Sequence, residues 1–236
     1  MEPTLFINRR EFCQGAAAVA LAAAALGTTA LSPIGAAASA QTVTAADLMK
    51  PGSIPDMVLG SEKAPVTIVE YASMTCPHCA HFQETTFPEL KKRYIDTGKV
   101  RYIFREFPLD ALALDGAMLA RCVANGDSNK YIAMIDVLFQ QQENWAREYK
   151  RGTEHPALEN KQLLALAKQA GMTDASYKAC FANQEIQRGI LLGLQHAGND
   201  LKVRSTPSFF INGNLKAGAL SIDEMAKEID TYLKDK

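Results

Sequence analysis

The chain has 236 residues, 47% of them apolar and 22% charged, which is enough for a real hydrophobic core and excludes disorder as a global description. Its 25 Lys and Arg nearly balance 26 Asp and Glu, giving a formal charge of −1 and no electrostatic case for nucleic acid as a partner. Five cysteines are too few for a disulfide-stapled mini-fold, and the odd count leaves one without an intramolecular partner.

At the N-terminus, Arg9 and Arg10 precede an Ala-rich, weakly apolar run over 15–31, and Ala38-Ser39-Ala40 offers small residues for cleavage. Residues 1–40 therefore read as an export signal cut after Ala40. The order Asn8-Arg9-Arg10-Glu11-Phe12 fits the twin-arginine type, although Cys13 stands where an aliphatic residue is usual; the general secretory route is the alternative. No other stretch approaches the roughly 18–20 apolar residues of a membrane span, so the mature chain is not expected to be an integral membrane protein. Cleavage discards Cys13 and leaves Cys76, Cys79, Cys122 and Cys180 in a compartment where thiols can be oxidised.

Residues 41–63 are polar and carry Pro51, Gly52, Pro55 and Gly60; they read as an N-terminal arm with one short strand at 56–59. The β-branched run Val66–Tyr71 predicts a strand that stops just before the first two cysteines of the mature chain. From Cys76 to about Ile95 the spacing of Phe82, Phe87, Leu90 and Tyr94 predicts a helix, kinked at Pro88 because proline lacks the N–H the helix needs. A second strand over Val100–Phe107 completes a β-α-β unit of about 40 residues with parallel strands, the core of a first part spanning 64–108. An Ala-, Leu-, Met- and Gln-rich block follows, with helices near 110–125, 128–146, 159–170 and 173–182, and reads as a helical insertion over 109–183. The last part, 184–236, holds a helix at 184–201, a strand at 208–211, a turn at Asn212-Gly213-Asn214, a short strand at 215–217 and a closing helix at 221–233. The fold class is α/β.

Cys76-Pro77-His78-Cys79 falls between a strand and a helix, the context of a redox dithiol. Unpaired N–H groups and the positive end of the helix dipole favour a thiolate at Cys76, which makes it nucleophile and leaving group. Cys79, one turn further in, can close a disulfide with Cys76 but lies deeper. Pro77 suits the first helical turn, and His78 can donate a hydrogen bond or a positive charge beside the thiolate. A stabilised thiolate stabilises the reduced form, so the disulfide form should be an oxidant. The competing reading is a metal site, with Cys76, Cys79 and His81 completed by Cys122 or Cys180. It is disfavoured because no second Cys/His pair stands at ligand spacing, and no metal is expected. His155 and His196 read as structural.

The run Glu70-Tyr71-Ala72-Ser73-Met74-Thr75-Cys76-Pro77-His78-Cys79 and the downstream Ser205-Thr206-Pro207-Ser208-Phe209-Phe210-Ile211-Asn212-Gly213 resemble the two signatures of the DsbA family of periplasmic thiol:disulfide oxidoreductases. The resemblance covers residues 55–236. It implies a thioredoxin-like fold with an inserted helical subdomain and a periplasmic location. It also implies an enzyme that donates its Cys76–Cys79 disulfide to reduced exported proteins and needs no cofactor. A quinone-linked membrane partner of the DsbB type would reoxidise it. Pro207 is implied to be cis and to face the dithiol, with Thr206 before it offering backbone groups to an extended substrate. Glu70 takes the place of the family's buried acid, able to accept a proton as Cys79 becomes a thiolate. The family's second acid is replaced, since the aligned place reads Gln83 with Glu84 beside it. Some members carry a structural disulfide in the helical block, which implies that Cys122 pairs with Cys180; two buried free thiols are the alternative. Arg105 and Glu106 are charged neighbours without an assigned role. The competing functions are a disulfide isomerase or reductase, and an exported metal- or peptide-binding domain. The isomerase reading is disfavoured because the roughly 20 residues before the first strand are expected to be too short for a dimerisation module.

Overall fold

The computed structural model describes residues 43–50, 52–148, 152 and 154–234; the expected export signal lies outside them. A five-stranded sheet forms the centre, built from β1 (Met57–Leu59), β2 (Val66–Ala72), β3 (Val100–Glu106), β4 (Ser208–Ile211) and β5 (Asn214–Ala217), in the order β1-β3-β2-β4-β5. β2 and β3 are parallel, Val66 opposite Val100 through Ala72 opposite Glu106. The crossover between them contains α2 (Pro77–Thr85), α3 (Phe87–Leu90) and a π-helical turn at Lys91–Ile95. β1, β4 and β5 add antiparallel neighbours. The β-α-β unit read from the sequence is therefore the middle of the sheet.

β2 is buried on both faces, which explains its continuous β-branched run. Strand alternation puts Val66, Ile68, Glu70 and Ala72 on one face. That face packs with Tyr102, Phe104, Phe209 and Ile211 against Phe82, Phe87 and Leu90 of the crossover. Val69, Tyr71, Ile103 and Phe210 point the other way, onto Leu48, Ala197, Leu201 and Val203. Leu48 belongs to α1 (Ala45–Leu48), a turn of helix in the stretch expected to be an irregular arm.

The crossover helix breaks at Thr86, two residues before Pro88. Pro88 instead occupies the first turn of α3, where its missing N–H has no helical partner to lose. After β3 come α4 (Ala111–Ala124), α5 (Ser128–Gln140), α6 (Gln142–Trp145), α7 (Lys161–Gln169), α8 (Asp174–Phe181) and α9 (Gln184–Asn199). Side-chain oxygens start five of these, from Asp110, Asp127, Asn160, Thr173 and Asn183. The single helix expected over 128–146 is two, parted at Gln141. The β4–β5 turn needs only Asn212 and Gly213, both at positive φ, the two-residue turn that matches strand twist. α10 (Ile222–Lys234) closes the chain.

Candidate active site

The dithiol sits where the central strand gives way to α2. Ser73 O accepts the Cys76 N–H at 3.1 Å, turning the chain out of β2. Cys76 then takes the N-cap position in extended conformation with Pro77 inside the first turn. Cys76 O starts the helix by accepting the N–H groups of Cys79 at 3.1 Å and Ala80 at 3.2 Å. The loop before β4, the strand next to β2, brings a cis Thr206-Pro207 bond against the pair, and the Cys76 thiol donates to Thr206 O at 3.3 Å. Cys76 is 5% exposed and Cys79 fully buried. Pro77 and His78 lie on the exposed side.

The two thiols are driven apart in acidity. The Cys76 pKa falls to about 5, chiefly because the Cys79 thiol donates a hydrogen bond to its sulfur. Burial opposes this, while Thr206 and the backbone N–H groups of Cys79 and His78 add to it. The helix N-terminus thus contributes as the sequence suggests, but Cys79 contributes more, and His78 acts through its backbone. Burial pushes the Cys79 thiol far up, and its hydrogen bond to Cys76 and the nearby Glu70 carboxyl push the same way.

Glu70 points from β2 toward the pair and is fully buried. Burial lifts its pKa to about 8, against a hydrogen bond from Tyr102 that lowers it, and the nearby Cys76 raises it further. Tyr102 O–H donates to Glu70 Oε2, while Oε1 is buried without a partner. Gln83, at the place of the family's second acid, is buried and donates to Asp136 Oδ1 of α5 at 2.5 Å; Glu84 is exposed. Asp136 is half-buried, and desolvation raises its pKa. A cleft of about 320 Å³ lined by Pro77, His81, Gln83, Asp136 and Gln142 opens there.

Cys122 of α4 and Cys180 of α8 form a disulfide, with Cα atoms 5.9 Å apart, so neither is available to complete a metal site with Cys76. His155 Nδ1 lies 2.8 Å from the buried Asp115 carboxylate, and His196 pairs with Asp200 one turn along α9. Arg105 clamps Asp56, Leu48 O and Tyr71 O–H, tying the N-terminal arm to β3. Glu106 forms a buried bidentate pair with Arg121 and accepts from Tyr131 O–H. Tyr102, Asp136 and Gln142 were not singled out from the sequence; their partners are 32 to 68 residues away, beyond any local pattern.

A thioredoxin-like sheet carrying at its strand-to-helix junction one acidified, nearly buried thiol and one suppressed thiol, opposite a cis-proline, defines the class of thioredoxin-fold dithiol proteins. The thioredoxin family profile matches residues 53–231. The solved structure of alpha-DsbA1 from Wolbachia pipientis superposes with a TM-score of 0.70 at 31% identity, covering 81% of this chain and 97% of that one. Disulfide bond formation protein D, as the Bacillus cereus relative is named, is 31% identical over 75% of this chain and 78% of its own length. A Rickettsia felis relative named as a protein-disulfide oxidoreductase is 39% identical over 76% of this chain but 61% of its own length. The match thus spans about three-fifths of that relative. The chain belongs to the thioredoxin family, in its DsbA branch.

Proposed function

We propose that the chain is a protein-disulfide oxidase that donates the Cys76–Cys79 disulfide to reduced exported proteins. A client thiolate attacks Cys76 Sγ, the Cys76–Cys79 bond breaks, and Cys79 leaves with the bonding pair. Glu70 supplies the proton that this deeply buried sulfur needs and recovers it in the reverse step. A second client thiolate attacks the client sulfur of the mixed disulfide and expels Cys76 as a thiolate. Two electrons have then passed from client to enzyme, and the client holds a disulfide. The observation that carries this reading is the depressed Cys76 pKa: a good leaving group favours donating the disulfide over reducing the disulfides of others. Thr206 and Pro207 offer backbone groups to an extended client beside Cys76.

The Cys122–Cys180 bond supports an oxidising compartment, in keeping with export to the periplasm. Among the described residues no helix is long and apolar enough to cross a membrane. Reoxidation is assigned to a DsbB-type membrane partner.

The test is to mix oxidised protein with a reduced dithiol peptide. One peptide disulfide should form per protein, and Cys76→Ala should abolish this. Rearrangement of scrambled disulfides without net oxidation would favour an isomerase instead.

A further inference from the structure

We propose that Gln142 is a positioning residue for Cys76, through which the helical block sets the acidity of the nucleophile. The proposal rests on the exchange reading and adds to it a control point outside the thioredoxin core.

The Gln142 side-chain nitrogen donates to Met74 O at 2.8 Å and to Cys76 O at 3.0 Å. Both partners only accept, so the amide orientation is fixed by its surroundings. The residue is buried. One amide therefore holds the two carbonyls that bracket Thr75, the last residue before the nucleophile. Its own footing is rigid. Trp145, one turn along α6, is fully buried, donates to Leu138 O at 2.7 Å, and its carbonyl receives the Asn160 amide at 2.8 Å.

The same loop is held on its other flanks. Thr75 Oγ1 donates to Asp110 Oδ2 at 2.7 Å, and Asp110 caps α4. The buried Met74 side chain lies against Gly116, where an added Cβ would come within 3.1 Å of it. Among the described residues Gln142 is the side chain that joins the Cys79 and Ala80 N–H groups on the Cys76 carbonyl, and by tying that carbonyl to Met74 O it steadies the N-cap conformation that turns the sulfur toward the N–H groups of His78 and Cys79 and toward Thr206. Without that hold the thiolate loses part of its donor set, and its pKa rises. The titratable neighbours are Cys79 and His78 on α2 and Glu70 on β2; Gln142 bonds to none of them, so the substitution leaves them in place.

The experiment compares wild type with Gln142→Met, which keeps the length and removes both donors. Thr173→Ala serves as a control that removes the cap of α8, elsewhere in the helical block, without touching α6 or the dithiol loop. Cys76 is titrated by thiolate absorbance, and the dithiol is equilibrated with glutathione. Gln142→Met should raise the Cys76 pKa by about one unit and weaken the protein as an oxidant about tenfold, while Thr173→Ala moves neither. Unchanged values in folded Gln142→Met, or an equal shift in Thr173→Ala, would overturn the proposal. Should Gln142→Met not fold, Gln142→Asn decides the same way, since it is one methylene too short to span both carbonyls. If wild type fails to exchange with glutathione at all, the exchange reading falls, and the absorbance titration still decides the role of Gln142.

Discussion

Glu70→Gln should make the reduced protein more stable at alkaline pH and nearly neutral in effect at acid pH. The carboxyl pKa is about 8 in the folded protein against an ordinary 4.5. Between those two values the folded state binds the proton that the unfolded state has released, so stability falls as pH rises. Below about pH 4.5 both states are protonated and the penalty vanishes; above pH 8 it is complete. Integrating from pH 5 to 8.5 gives a loss on the order of 4 kcal/mol for wild type. This is an upper figure, since water entering around a buried carboxylate softens the penalty. Gln does not titrate and still offers an oxygen to Tyr102 O–H, so the variant lacks this loss. Urea unfolding of both proteins under reducing conditions at pH 5 and 8.5 measures it. A wild-type-to-variant difference that stays flat across that range would refute the assignment of a raised pKa to Glu70, and with it the proton donor for Cys79.

Alkylation of Cys76 by iodoacetamide should reach half its limiting rate near pH 5, because the thiolate is the reactive form and is lost as pH falls through that value; a midpoint near pH 8.5 would contradict the site electrostatics. Replacing Cys122 and Cys180 by Ala opens a crosslink between residues 58 apart, which should cost about 4 kcal/mol in chain-entropy terms while peptide oxidation at Cys76 persists. No loss in urea midpoint would argue against a stabilising crosslink. Arg121→Met strands the buried Glu106 carboxylate and should cost about 3–5 kcal/mol, whereas the double variant with Glu106→Gln should cost less. Equal losses would mean the pair is not coupled.

Much of this protein is legible locally. A strand that ends on Cys76, a proline one residue later and a helix carrying Cys79 are consequences of backbone sterics and of side chains within a few positions, so the dithiol and the β-α-β unit can be read in order. Where the structure departs from these local expectations, the cause is also physical. The helix expected over 128–146 turns at Gln141 because Trp145 must be buried, and that turn is what aims Gln142 at the dithiol loop. The crossover helix breaks before Pro88 because proline fits a first turn at no loss.

The sequence by itself determined the chemistry available: two thiols at a helix start, and an acid on the strand feeding it. Only the tertiary structure decided how that chemistry is tuned. Glu70 is an ordinary carboxylate until α2 and Tyr102 close over it. Cys76 becomes a low-pKa thiol when the neighbouring Cys79 and Thr206, 130 residues away in the chain, converge on its sulfur. Propensity and periodicity act over a few residues, whereas desolvation and hydrogen-bond convergence depend on what packs across the sheet.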